Sequence, residues 1–433
     1  MKRFEVPGIL GLLFCVAYSV NYTDIVNVSS ISNPEELVAN RLIPVTVDIR
    51  SLGMGKVAAA LERGNSVFVN PAVAASLDKT MVSTGVRVHA GLVSDGYSEA
   101  AADSYTAMYK PHFKLTHLGG VVPFKLAEFP ISIGAGAGYH TLYDFGENYY
   151  FSSEDGGAET EKTLKVHGGM NLISPSLSLG FFNKVFAGIT VNLSVLGEIY
   201  AEEDDGEDVT DSEKFTGSCT YAIIGVLARP IERLSVGLSY WPQYEWKFGG
   251  GDYITIPRMV ALGLSWRITD QAVAGIEAQT RLYKELTTRV EGEMGSGAAV
   301  RAGGEYDFGT VAVRLGGFGE TVPIGDYNYD QGTELDDPTF AFGATAGAGV
   351  TIKMVMLDFA IAWTRYAREE TKTSDAGSLA TYNYSENHFR FDAGATVNLP
   401  GIGFLKKDEL KPVVQDTIMP EPIPEPERRK PIY

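Results

Sequence analysis

The feature that limits this chain most is a two-residue period sustained over stretches of about ten residues. Val82, Thr84, Val86, Val88, Ala90 and Leu92 alternate with Ser83, Gly85, Arg87, His89 and Gly91. Phe389, Phe391, Ala393, Ala395, Val397 and Leu399 alternate with Arg390, Asp392, Gly394, Thr396 and Asn398. Successive side chains of a strand point to opposite faces, so each stretch sets one face in an apolar medium and the other in water. Its length is that of a strand tilted across a bilayer. Further segments of this kind are expected at 107–123, 130–143, 164–180, 185–200, 215–229, 234–246, 254–266, 271–284, 298–308, 311–322, 339–351 and 355–368, which brings the total to 14. The fold class expected is all-β: a transmembrane antiparallel β-barrel of about 14 strands, its outer face against membrane lipids, with an N-terminal helical plug.

Short and long connections alternate along these segments. Phe182-Asn183-Lys184, Arg229–Arg233, Ile268-Thr269-Asp270 and Phe308-Gly309-Thr310 read as periplasmic turns, and the long polar stretches between them as outer loops. Acid concentrates in three of those loops: 144–164 carries −5, 201–214 carries −7 and 319–338 carries −6, which together equal the formal net charge of −18. Such loops read first as solvated surface. Their carboxylates lack the spacing of a dedicated calcium loop, and no basic cluster exists to neutralise a nucleic acid, so nucleic-acid binding is excluded. Trp246 and Trp363 near outer strand ends and Trp266 near an inner end sit on the apolar parity, as an interfacial aromatic belt requires.

The N-terminus reads as a secretory signal over residues 1–19: Lys2 and Arg3, an apolar run from Ile9 to Val16, then Ala17 and Ser19. With Cys15 removed, Cys219 alone remains, which rules out an intrachain disulfide and a cysteine metal site. Residues 20–80 form a periplasmic hatch. Within it Leu52–Arg63 is expected to be a helix ended by Gly64, and Asn70-Pro71 stops the chain that follows. The barrel occupies 81–399. The proline-rich stretch 400–433, ending PEPIPEPERRKPIY, reads as an extended periplasmic tail, a spacer or a docking segment for a periplasmic partner.

The plug, with Gly53-Met54-Gly55, an alanine-rich run and Asn70-Pro71-Ala72, resembles the hatch of the long-chain fatty acid outer-membrane transporters, the FadL-type family with its toluene-transporter-like members. The stretches ITIPRMVALGLSWRITDQAVAGIEAQT and VRAGGEYDFGTVAVRLGGFGETVPIG also look like that family's strand pairs, so the resemblance covers about Arg50 to Leu399. It implies a monomeric barrel of the bacterial outer membrane. Such a barrel takes up hydrophobic molecules such as fatty acids past a binding pocket, releasing them by movement of the plug or through a lateral opening. Gly53, Gly55, Asn70, Pro71 and Ala72 are then the gating residues.

The lumen supplies the candidate ligand contacts. Phe186, Leu196, Ile224, Val226, Met259, Met356 and Tyr366 are apolar residues at interior parity. Phe186, Met259 and Met356 stand as substrate contacts together with Arg87, Arg301, Arg314 and Arg390, cations on the pore-facing parity that suit a carboxylate headgroup. Glu305, Asp307 and Asp392 are at hand to pair with those arginines instead. The histidines make no HExxH, and no G-x-S-x-G occurs, so neither an enzyme nor a cofactor or metal site is expected. Two other readings share the architecture. One is a related plugged barrel that partners protein secretion, of the type IX kind, and the other is a general porin.

Overall fold

A computed structural model describes residues 48–97, 105–126, 130–145, 147–155, 158–204, 209–251, 253–282, 297–328, 333–373 and 379–399. The signal-like leader, the first part of the hatch and the proline-rich tail lie outside the described residues. Among those described, the chain forms nineteen strand segments. They are β1 (Thr80–Tyr97), β2 (Tyr105–Lys125), β3 (Ile131–Asp144), β4 (Glu147–Asp155), β5 (Ala158–Ile173), β6 (Ser176–Phe181), β7 (Val185–Asp204), β8 (Val209–Ser218), β9 (Thr220–Ile231), β10 (Leu234–Trp241), β11 (Tyr244–Phe248), β12 (Tyr253–Ile256), β13 (Met259–Arg267), β14 (Ala272–Arg281), β15 (Gly297–Asp307), β16 (Val311–Asn328), β17 (Thr333–Ile352), β18 (Val355–Thr373) and β19 (Leu379–Leu399). β3 runs on into β4, β5 into β6, β8 into β9, β10 into β11 and β12 into β13, so the segments make 14 staves. β1 pairs β19 antiparallel from Thr80↔Leu399 to Tyr97↔Tyr382, and the sheet closes on itself.

Closure leaves no edge strand open to the bilayer, which a membrane demands. The outward parity is apolar, as at Leu262, Leu264 and Trp266 on β13 and Phe359 and Ile361 on β18. The outer ends rise beyond the sequence expectation. Stretches read as acidic loops are in part strand, with β4 and β5 forming one hairpin and β7 pairing β8 through Glu202↔Ser212.

The plug departs further from its expected form. Among its described residues only Ile49–Gly53 is α-helical (α1), capped by the Asp48 carboxylate accepting from Ser51 N at 3.0 Å. Gly55 and Lys56 then take φ of 72° and 66°, which ends the helix before the alanine run begins. Two short 3-10 turns follow, Gly64–Phe68 and Pro71–Ser76. The backbone of Ala58 and Ala59, read as helical, instead donates both N–H groups to the Glu277 carboxylate of β14 at 2.8 and 2.7 Å. A barrel carboxylate thus satisfies donors that a helix would have bonded, and tertiary context overrides alanine's propensity.

The descending plug chain follows the inner wall, and the wall is glycine at the closest backbone approaches. A Cβ on Gly134 would strike the Ala74–Ala75 peptide, on Gly188 the Pro71 carbonyl, on Gly237 the Ala59 carbonyl, and on Gly303 or Gly316 the Met54–Gly55 peptide. Several of these glycines are register partners on neighbouring staves, among them Gly275↔Gly303, Gly303↔Gly316, Gly237↔Gly263 and Gly188↔Gly225. They form a girdle near the short-turn end into which main chain packs on main chain.

Candidate functional site

Above the girdle the lumen has two unlike halves. On β14 to β19 and on β1 and β2 it is ionic. Arg301 donates to Glu277 at 2.9 Å and reaches Glu320 at 3.4 Å, and Arg281 reaches the same Glu320 at 3.3 Å. Arg314 donates to Glu305 at 2.6 Å and forms an ion pair with Asp358 at 2.7 Å. Arg87 and Arg390 converge on Asp392 at 3.1 and 2.5 Å. The plug joins this lattice through Arg50 to Glu305 at 2.5 Å and Lys56 to Glu320 at 2.7 Å. Burial pushes the Lys56 ammonium down to about 8, against the pull of Glu320. The four arginines proposed from sequence as carboxylate anchors all face the lumen as expected, and each is held by acids of the wall.

The second half is aromatic. Tyr143 and Phe145 near the end of β3, Met170 and Leu172 on β5, Ile199 on β7, Tyr221 and Ile223 on β9, Trp241, Tyr244 and Trp246 on β10 and β11, and Met259 on β13 make one buried cluster. Tyr221 stacks on Tyr244 with centroids 3.9 Å apart and planes 3° apart, and Phe145 stacks on Trp246 at 5.6 Å. The halves meet at Arg281, which with Tyr143, Trp241, Tyr244 and Met259 surrounds a small void of about 10 Å³.

Met259 lies where the sequence put it, inside this cluster, and accepts from Gln279 Nε2 at 2.6 Å. Phe186 also points inward but packs against the plug beside Phe68 and Val73. Met356 receives a contact from the plug's Arg63 at 2.9 Å. Three interior assignments are overturned. Leu196, Ile224 and Val226 are 62%, 52% and 39% exposed on the outer face. For Leu196 the cause is a β-bulge: Asn171 pairs Leu196 while Leu172 pairs Ser194, so Val195 is extra and the parity flips beyond it. For Ile224 and Val226 both faces of β9 are apolar, with Tyr221, Ile223 and Leu227 inward, and alternation alone cannot orient such a strand. The Tyr366 side chain lies outside the described residues. Trp246 is corrected too: it is fully buried inside the barrel and is not part of an outer belt, whereas Trp266 does face outward.

The residues expected to gate sit where the plug touches the wall. Asn70 Nδ2 donates to Ala59 O at 2.7 Å and to Val226 O at 3.1 Å, while its Oδ1 accepts from Ala72 N at 3.2 Å. One side chain therefore ties two plug segments to the wall. Pro71 opens the turn that follows, Gly55 N donates to Thr345 Oγ1 at 2.9 Å, and Gly53 lies against Gly347.

The wall of the aromatic half contains a seam that the sequence did not reveal. β9 pairs β10 only as far as Ile224↔Tyr240, and β8 pairs β11 only from Ser218↔Lys247 onward. Between them Pro242 withholds a donor, Cys219 separates β8 from β9, and a recess of about 700 Å³ opens, lined by Ser194, Cys219, Thr220, Tyr221, Gln243 and Tyr244.

A closed 14-stave antiparallel barrel with an internal plug and short turns at one end is a bacterial outer-membrane barrel. No family model and no curated protein matches the sequence. Among solved structures, the chain shares its fold with a Pseudomonas aeruginosa FadL homologue, at TM-score 0.59 and 13% identity over 83% of this chain and 99% of that one. It is similar also to the P. putida toluene transporter TodX (0.55, 13% identity, 81% and 99% covered) and the Ralstonia pickettii toluene transporter TbuX (0.52, 13%, 81% and 97%). The likeness to these proteins is one of fold.

Proposed function

We propose that this protein is an outer-membrane uptake channel for hydrophobic small molecules, amphiphiles such as long-chain fatty acids among them, working by passive transport gated by its plug. The observation that carries the reading is the split lumen, in which a continuous aromatic and aliphatic lining stands beside an ionic half whose cations are paired with acids of the wall. A solute entering from the outer end rests on the aromatic wall and leaves when the plug moves or through the seam between β9 and β10. Phe186, Met259 and Met356 are the proposed apolar contacts. Arg87, Arg301, Arg314 and Arg390 are the proposed partners of a carboxylate, and Gly53, Gly55, Asn70, Pro71 and Ala72 the proposed gate. Residues 1–19 are proposed to direct export, and 400–433 to emerge in the periplasm, where the tail is free to meet a partner. The protein acts as a monomer and carries no catalysis in this reading.

The test is binding of a fluorescent acyl probe to the detergent-purified full chain, competed by unlabelled fatty acid, together with planar-bilayer conductance of a variant lacking residues 20–76. Saturable, competable binding and a raised leak are expected. Absence of binding in the folded protein contradicts the uptake reading, and an unchanged conductance contradicts a plug that fills the lumen.

A further inference from the structure

The lattice around Glu320 holds more cations than acids. Arg281 and Arg301 of the wall and Lys56 of the plug all reach its carboxylate, at 3.3, 3.4 and 2.7 Å. The second acid of the group is Glu277, which pairs Arg301 at 2.9 Å. Three cations thus face two carboxylates. The remaining acceptor is neutral: Gln279 Oε1 takes Nη2 of Arg281 at 2.8 Å and Nη2 of Arg301 at 3.0 Å. Two buried guanidiniums converge there on an amide oxygen, where an acid would balance them. Arg390 on β19 acts on Lys56 as a further like charge. The other ionic contact of the plug differs, because Arg50 and Arg314 face Glu305 and Asp358, two against two. The excess at Glu320 therefore comes from the plug, since without Lys56 the two arginines match the two glutamates. Lys56 stands at φ 66°, a backbone region that a residue with a Cβ rarely adopts, and its ammonium also lies 3.5 Å from the centroid of the Phe318 ring. Arg281 carries the excess to the aromatic half, where it surrounds the small void with Tyr143, Trp241, Tyr244 and Met259.

We propose that Lys56 makes the seated plug the source of the lumen's selectivity for anionic amphiphiles: it supplies the unbalanced cation, and the acidic head of the ligand, held at Arg281 beside the aromatic wall, neutralises it. The carboxylate takes the place of the Gln279 amide oxygen on Arg281, and the apolar body lies toward Tyr143, Trp241 and Met259. When the plug withdraws, Lys56 leaves with it and the wall is balanced again, so the acid loses its counter-charge and is released. Retention and gating are then one event, because the ligand favours the seated plug by as much as the seated plug favours the ligand. This rests on the reading that the lumen passes hydrophobic solutes, and it assigns their charge preference to one plug residue.

The test uses the full-length protein in an uncharged detergent, with octanoate and 1-octanol as ligands and affinities from isothermal titration. The ratio of octanoate to octanol affinity should fall about tenfold in Lys56→Gln, the order expected of one nearby unit charge in a protein interior, and return in Lys56→Arg. A pH series on the wild type checks the same charge without a substitution. Burial holds the Lys56 ammonium down to about 8, so raising the pH from about 7 to 9.5 discharges it while octanoate stays ionised. The groups that face it, Glu320, Glu277, Arg281, Arg301 and Arg390, are carboxylates and guanidiniums that do not ordinarily titrate in that window. The ratio should therefore fall over that range in the wild type and stay level in Lys56→Arg. In planar bilayers, octanoate should lower the leak conductance of the wild type more than octanol does, and the difference should vanish in Lys56→Gln. A ratio that Lys56→Gln leaves unchanged overturns the proposal and leaves the excess charge to water or small ions. Equal weakening of both ligands overturns it in favour of a purely structural lysine, and a leak indifferent to octanoate breaks the link to the plug. Failure of the folded wild type to bind either ligand removes the uptake reading as well.

Discussion

Glu277 shows how a single side chain fixes both plug and lumen. It is almost wholly buried, accepts two plug N–H groups and pairs with Arg301, so its removal strands three groups at once. Glu277→Ala should cost about 3–5 kcal/mol, the range for breaking a buried ion pair, read as a lowered midpoint of the heat-modifiable shift in semi-native electrophoresis. A midpoint equal to wild type would mean that the plug is not held there. Asp392 is a second such centre. Arg87→Gln with Arg390→Gln should destabilise the barrel, and adding Asp392→Asn should recover part of the loss, because the penalty is the buried carboxylate left behind. No recovery would place the arginines' role elsewhere, on a ligand. The parity of all four arginines was legible from sequence. Their commitment to particular acids was not, since it depends on cross-stave register such as Arg301↔Glu277.

Among elements, the plug was located by its punctuation and misread in its interior. Asn70-Pro71-Ala72 marks the turn because Asn70 satisfies backbone groups and Pro71 fixes φ, both local facts. Ala58–Leu61 reads as helix because alanine propensity is local too, while the Glu277 carboxylate that takes up the donors of Ala58 and Ala59 lies more than two hundred residues away. The girdle makes its own prediction. Gly237→Val should drive the plug off the wall and raise leak conductance, because the new side chain would occupy the Ala59 carbonyl position. In a variant lacking residues 20–76 the same substitution should add nothing, and a further rise there would show that it damages the barrel itself. The bulge at Val195 explains why β7 was misassigned beyond it: one unpaired residue reverses every later side chain, and alternation carries no record of it.

For the whole molecule, class and topology were the legible part, because a period of two, repeated with short and long connections, admits few arrangements other than a barrel. The seam and the aromatic half were not, because the meeting of Tyr221, Trp241, Tyr244 and Trp246 depends on the register between neighbouring staves and on where their pairing is interrupted, which alternation does not record. The most direct test of the central claim is uptake of a hydrophobic solute by a lipopolysaccharide-coated bacterium that lacks its own channel for such molecules. Expression of the full-length protein, verified as heat-modifiable in the outer membrane, should raise the initial rate in a saturable way above that of cells without it. A rate equal to those control cells, with the protein correctly inserted, would contradict the account.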